Sequence, residues 1–261
     1  MAESSFVTTE RIGQVLRITI NRPEALNALN SDVLTQLASV LEMAAVDRDA
    51  RVVIITGAGD RAFIAGADIK EMSTKSPMEG REFARVGHRI TRLIEEMDKP
   101  VIAAINGVAL GGGCEMSLAC DMRLASEKAR LGQPEVGLGI MPGWGGTVRL
   151  ARIVGEGIAR EIIFSGKLIS AEEALRIGLV NAVFPPEKLA DEALQLATTI
   201  AGKAPLAVSY AKRSMNRARS LDTEAAAELE ADLFALGFAT EDQKEGMKAF
   251  IEKRVAGFQG R

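Results

Sequence analysis

Glu115 closes the run Gly107-Val108-Ala109-Leu110-Gly111-Gly112-Gly113-Cys114-Glu115. Three consecutive glycines carry no side chain that could keep a ligand off the backbone. Met116 to Cys120 reads as a helix. The glycines would then present free N–H groups at a helix N-terminus, where partial positive charge favours an anion. A carboxylate beside such a site suits acid–base chemistry on a substrate that develops negative charge. Glu115 could instead be a first-turn acid favoured by the helix dipole.

Two further segments have the same small-residue character. Ala65-Gly66-Ala67-Asp68-Ile69-Lys70 would let a ligand approach the main chain, with Asp68 capping a short helix. Glu135 follows Pro134 in a loop that runs through Gly137, Gly139, Gly143, Gly145 and Gly146. Taken alone, it reads as a surface glutamate. Gly57-Ala58-Gly59-Asp60-Arg61-Ala62 matches a dinucleotide fingerprint and follows a strand. No helical period begins there, so a glycine turn is the better reading. The single histidine, His88, lies near Arg85, Arg89 and Arg92, opposite an apolar stripe of Phe83, Val86, Ile90, Leu93 and Met97. It reads as a solvated residue, which leaves no imidazole for a Ser-His-Asp triad or a multi-histidine metal site.

The elements that must position these residues alternate between strand and helix. Strands are expected at Val15–Ile20, Val52–Thr56, Val101–Ile105, Asp121–Ala125 and Leu179–Phe184. A helix over Asp32–Ala45 is capped by Ser31, and another spans Glu79–Met97. Ser73–Gly80 is polar and reads as a mobile loop. Such alternation argues for an α/β fold. From about Pro186 the chain reads as helices near 187–202, 205–218, 222–237 and 241–254, with Ser170-x-x-Glu173 and Thr240-x-x-Gln243 as capping boxes. The division is a core over 1–185 and a helical region over 186–261.

Composition narrows the function classes. The chain has 261 residues, is 47% hydrophobic but only 4% aromatic, and has a net charge of −3. Its core must therefore be aliphatic, and it has no overall electrostatic pull toward nucleic acid or anionic membrane. Two cysteines, Cys114 and Cys120, suit a reduced, cytoplasmic setting better than a disulfide framework. The start, Met-Ala-Glu-Ser-Ser, lacks the pattern of a signal peptide, and no apolar stretch reaches membrane-spanning length.

Together the segments carry a resemblance. Asn-Arg-Pro-Glu-Ala-Leu-Asn-Ala-Leu at 21–29, Ala-Gly-Ala-Asp at 65–68, Asn-Gly-x-Ala-Leu-Gly-Gly-Gly-x-Glu at 106–115, and Pro-Glu with Pro-Gly-x-Gly-Gly-Thr across 134–147 resemble the crotonase (enoyl-CoA hydratase/isomerase) superfamily nearly end to end. The resemblance implies a spiral of ββα repeats with a C-terminal helical trimerisation region. It implies an acyl-CoA thioester substrate, a homotrimer or dimer of trimers, and no cofactor or metal, coenzyme A being part of the substrate. The N–H groups of Ala67 and Gly112 would bind the thioester oxygen as it becomes an enolate. Glu115 would aim water at the β-carbon and Glu135 would deliver a proton to the α-carbon, which is the work of an enoyl-CoA hydratase. Crowding two carboxyls raises the pKa of one of them. Residues implied at the substrate are Ala25, Ala65, Gly66, Asp68, Ile69, Lys70, Gly111, Pro134, Gly143 and Trp144, with Phe250 and Lys253 from the C-terminal end. Lys70 also reads as a solvated lysine, and Phe250 reads first as core packing on Met247.

Trp144 stands where the family motif usually has a small residue. It would either shorten the acyl pocket toward crotonyl-sized chains or pack outward into a neighbouring subunit. Other readings are a branched or dicarboxylic enoyl-CoA substrate, double-bond isomerisation, and a nucleic-acid-binding homologue that uses Lys212, Arg213, Arg217 and Arg219. No aromatic residue interleaves that basic stretch.

Overall fold

A computed structural model describes residues 5–261, so most of the chain start read above, Met1–Ser4, lies outside it. One sheet contains, in spatial order, β1 (Val7–Ile12), β2 (Val15–Ile20), β3 (Val52–Gly57), β5 (Val101–Ile105), β7 (Met122–Ser126) and β10 (Ala182–Phe184). Apart from the β1–β2 hairpin, its pairings are parallel. The second sheet contains β4 (Ala62–Ile64), β6 (Val108–Leu110), β8 (Arg130–Gly132) and β9 (Leu168–Ser170). Each turn of the chain adds one strand to both sheets, as β3 with β4, β5 with β6, and β7 with β8. This is the spiral the resemblance implies.

The helices are α1 (Ser31–Val46), α2 (Ile69–Met72), α3 (Pro77–Glu96), α4 (Gly112–Ala119), α5 (Gly146–Val154), α6 (Glu156–Ser165), α7 (Ala171–Arg176), α8 (Leu189–Ala201), α9 (Pro205–Ala218), α10 (Thr223–Gly237) and α11 (Glu241–Ile251). The core is aliphatic as its composition demands, with Phe63 its largest fully buried side chain. α8 belongs to the helical region by sequence, yet it covers a sheet face. Leu189, Ala193, Ala197 and Ala201, each one helical turn apart, pack on Val15, Val52, Ile54, Ile102 and Leu124.

Several local expectations are corrected. α1 is capped by Asn30, whose side chain accepts from Val33 N at 3.0 Å, rather than by Ser31. The polar stretch 73–80 contains the start of α3, with Pro77 at its first position and Ser76 and Glu79 forming a reciprocal capping box. The buried face of α3 is Gly87, Ile90, Thr91, Ile94 and Met97, while Val86 is exposed. Hydropathy could not point to Gly87 and Thr91, because neither is strongly apolar.

α4 is the element that matters most for function. All eight of its residues are buried, so it has no amphipathic period by which to find its start. It begins at Gly112, four residues earlier than expected, with Gly111 as its cap at φ 49°, a left-handed value that favours glycine. A Cβ on Gly113 would collide with the carbonyl oxygen of Ile64 in β4. At the other end Arg123 satisfies the orphan carbonyls of Ser117 at 3.2 Å and Cys120 at 2.8 Å. Both ends of the helix are therefore fixed without a surface-exposed residue.

Candidate active site

Among the described residues, the backbone N–H groups of Ala67 and Gly112 donate no hydrogen bond. Leu29 bridges Ala67 in parallel fashion, donating to Gly66 O at 2.9 Å and accepting from Asp68 N at 2.9 Å. That bridge uses the groups on either side of Ala67, so the Ala67 N–H faces away from Leu29 and is spare. Asp68 locks the segment: one carboxylate oxygen caps Lys70 N at 3.1 Å and the other pairs with Arg22 at 2.8 Å. The Arg22 guanidinium holds the Asp68 carboxyl below its ordinary range. Gly112 is the first residue of α4, so its N–H is one of the donors a helix cannot satisfy internally. The N–H of Gly111, by contrast, is used by Gly132 O at 3.0 Å.

The two glutamates come from different elements and are close enough that the charge on one acts on the other. Glu115, on α4, is 2% exposed. Its Oε1 accepts from Trp144 N and Gly146 N, both at 2.7 Å, which leaves Oε2 without these bonds. Burial pushes its carboxyl up, opposed by the Gly146 and Trp144 N–H groups and then by the charge on Arg149. Glu135 lies in the short 3-10 turn Pro134–Leu138. Its Oε1 is 2.9 Å from where a Cβ on Gly111 would stand, so its carboxylate lies directly over the glycine run. Burial, reinforced by the charge on Glu115, raises the Glu135 carboxyl to about 7. Burial thus raises both carboxyls, but only Glu115 accepts backbone N–H bonds that work against the shift, whereas Glu135 rises to about 7.

Gln133 is a participant the sequence did not single out. It is fully buried. With its amide nitrogen toward the turn, it donates to Glu135 Oε1 at 3.0 Å and Oε2 at 3.2 Å. Its only sequence signal is adjacency to Pro134-Glu135.

Trp144 is 4% exposed, so outward packing is ruled out. Its indole lies across Gly112, with Cζ3 2.5 Å from where a Cβ would stand, and also covers Gly87 of α3. Phe83 braces it at a centroid distance of 5.4 Å. A large ring can lie there only because both helices offer a glycine beneath it.

The other expected residues are placed less uniformly. Ala25 sits in the 3-10 turn Pro23–Ala25, and Ala65 N donates to Leu26 O at 3.1 Å, so the two small-residue segments are neighbours. Gly66 is buried; Ile69 and Lys70 are exposed on the first turn of α2. Pro134 opens the Glu135 turn, and Gly143 is half-buried beside Trp144. Phe250 is 86% exposed near the end of α11, which corrects the reading of it as core packing on Met247. Lys253 is exposed just beyond. His88 is exposed, as expected. Gly57–Gly59 turns from β3 into β4 and opens no helix, in keeping with rejection of the nucleotide fingerprint. Cys114 and Cys120 are free, buried thiols pushed up to about 12 by burial, and so are poor nucleophiles.

Three of the four residues in the basic stretch are engaged within the chain. Lys212 is buried against Asp121 at 2.8 Å, Arg213 pairs with Asp98 at 3.3 Å, and Arg219 pairs with Glu95 at 2.5 Å. Among the described residues, no helix is long and apolar enough to cross a membrane.

The two-sheet spiral carries the motif segments in the places the resemblance implies. The chain belongs to the enoyl-CoA hydratase/isomerase family, whose profile matches residues 10–261. It is 50% identical over 260 residues to the short-chain-enoyl-CoA hydratase of Clostridium acetobutylicum, covering 99% of this chain and 100% of that protein. It is likewise 50% identical over 252 residues to the crotonyl-CoA hydratase of Syntrophomonas wolfei, with 97% of each covered. An enoyl-CoA hydratase structure from Bacillus anthracis superimposes with a TM-score of 0.96 at 39% identity, covering 98% of this chain and all of that one.

Proposed function

We propose that this chain hydrates short trans-2-enoyl-CoA thioesters to 3-hydroxyacyl-CoA, using Glu115 and Glu135 as its acid–base pair. The observation that carries the reading is the pair of buried carboxyls at one glycine run. Oε2 of Glu115 takes a proton from water as the oxygen attacks the β-carbon. Electrons move into the thioester carbonyl, and its oxygen is held by the N–H groups of Ala67 and Gly112. Each such donor is worth about 3–4 kcal/mol in the transition state. Glu135 then gives its proton to the α-carbon as the carbonyl re-forms. One proton is taken and one given, so the sum is addition of water, and exchange with solvent restores the pair. The thioester supplies its own electron sink, so this route calls on no metal or further cofactor.

In the 65–70 strip, Lys70 is exposed on the first turn of α2, which supports its pairing with a CoA phosphate. The C-terminal helices support self-association. α10 has no buried residue, Phe234, Phe250 and Ile251 are each at least 70% exposed, and a largely apolar groove of about 800 Å³ runs between α9, α10 and α11. A homo-oligomer would cover this face and bring Phe250 and Lys253 toward a neighbour's substrate. Sedimentation at micromolar protein should therefore show a species larger than the monomer.

Trp144 sets the acyl length in this reading, because its ring occupies the space over Gly112 into which a longer chain would extend. Loss of the conjugated enoyl-thioester absorbance, followed across a series from four to sixteen carbons, tests the activity and the length together. The wild type should favour four carbons. Trp144→Ala should shift the ratio of long- to short-chain kcat/KM by about 10-fold or more toward long chains. An unchanged ratio would remove Trp144 from the account while leaving the hydration chemistry standing.

A further inference from the structure

Glu115 is held by a loop, and the loop is itself held from behind. The peptide that donates Gly146 N, and the one that donates Trp144 N, flank the Trp144 carbonyl. That carbonyl accepts from Arg149 Nη1 at 3.0 Å. The other arm of the Arg149 fork reaches Glu95 Oε2 of α3 at 2.7 Å. Glu95 is fixed in turn by Arg219, the residue that ends α9, at 2.5 Å on its other oxygen, and its backbone carbonyl accepts from Asn216 of α9 at 2.8 Å. Burial works against the Glu95 anion, but Arg149 and Arg219 outweigh it and hold the carboxyl below its ordinary range. Gly145 is at φ 104°, and a Cβ there would strike Arg149 Nη1, so this glycine leaves room for the guanidinium to reach the loop. Its Nε is buried without a partner, a cost accepted for this placement.

We infer that Arg149, gripped by Glu95, is a positioning residue: it fixes the 143–146 loop so that two N–H groups orient Glu115, and it sets a positive charge behind that carboxylate. The inference rests on the proposed role of Glu115. It explains how a deeply buried glutamate, three residues from the helix start, is held in one orientation with a cation behind it that works against the upward push of burial. A bidentate guanidinium is required because one cation must bridge a carbonyl and a carboxylate in fixed geometry.

Several groups can contribute to the pH response. Glu115 is faced by Glu135 from the 3-10 turn and Cys114 from its own helix, as well as by Arg149. Arg149 is faced by Glu95 and His88 from α3; Arg92 of α3 also acts on His88, and Arg219, at the end of α9, shares Glu95. His88 would also titrate on the acid side, its imidazole being lowered by partial burial and by Arg149 and Arg92. The test is therefore made in a His88→Asn background, using crotonyl-CoA. Arg149→Gln removes the charge but keeps a donor. It should lower kcat by about 10- to 100-fold with KM nearly unchanged. Its acid limb in kcat/KM should move up by about one pH unit, because an unsupported buried carboxylate ionises later. Arg149→Lys keeps the charge, so its limb should stay near the parent position. Arg149→Met answers the same question if the glutamine variant does not fold, since Arg219 still neutralises Glu95. An unmoved limb in the folded neutral variant, or identical profiles for lysine and glutamine, overturns the inference. Glu115→Gln run alongside separates the two levels: if it keeps the parent rate, the reading of Glu115 itself has failed.

Discussion

Glu115→Gln is expected to lower kcat for crotonyl-CoA hydration by about 10³-fold or more, with KM changed little. The amide is nearly isosteric, and its oxygen can still accept from Trp144 N and Gly146 N, which now bond Glu115 Oε1 at 2.7 Å. The loop and the Trp144 ring should therefore stay in place, and with them the site for the acyl group. What is lost is a group able to take a proton from water. The neighbouring thiol of Cys114 offers no substitute, since burial pushes it up to about 12. A loss confined to kcat would mark an interaction used in the transition state rather than in binding. Progress curves of enoyl absorbance over a range of substrate concentrations give both constants.

Glu135→Gln should produce a comparable loss in kcat, about 10²- to 10⁴-fold, and at the same time a more stable protein at alkaline pH. Burial, with the charge of Glu115 added, raises the Glu135 carboxyl from 4.5 to about 7. Between those values the folded protein keeps a proton that the unfolded chain gives up. Stability therefore falls as pH rises through that window, by at most about 3 kcal/mol once pH exceeds 7. Glutamine removes this penalty. The variant should melt higher than the wild type at pH 8 and show little difference near pH 4, where both forms are neutral. Calorimetry at the two pH values reads the effect, and equal shifts at both would contradict it. The same proton accounts for the alkaline side of the rate profile. The wild-type kcat/KM should decline as Glu135 ionises near 7, and that limb should be absent in Glu135→Gln. Activity and stability are thus opposed at a single side chain, a recurrent cost of buried acid–base groups.

The sequence disclosed these parts unevenly, for physical reasons. Strands β2 and β5 are legible to the residue because β5 is five apolar or small residues in a row and β2 is apolar or β-branched at all but Arg17. The second sheet was not, because β4, β6, β8 and β9 are three residues each, too short to show a period. β1 was hidden by its edge position: only Val7 is fully buried, and Thr8 to Arg11 face solvent. The start of α4 gives no signal in the sequence, because burial on every side removes the polar face that marks a helix. Glu115 and Glu135 were found through the motifs around them. Their hydrogen-bond partners cannot be read from spacing, since Trp144 N, Gly146 N and Gln133 reach them only through tertiary structure. Trp144 was noticed for its size. Its seat on Gly87, which lies 57 positions earlier in the chain, could not be read from spacing.

The central claim is that one chain adds water to a short enoyl thioester through two glutamates acting in opposite senses. The most direct test is to mix purified protein with crotonyl-CoA in H₂¹⁸O and follow both the loss of enoyl absorbance and the mass of the product. Wild-type protein, Glu115→Gln and Glu135→Gln are run side by side. The account predicts rapid loss with the wild type, ¹⁸O in the 3-hydroxybutyryl-CoA formed, and rates at least about 10²-fold lower for each variant. No loss with the wild type, or a wild-type rate from either variant, would contradict it.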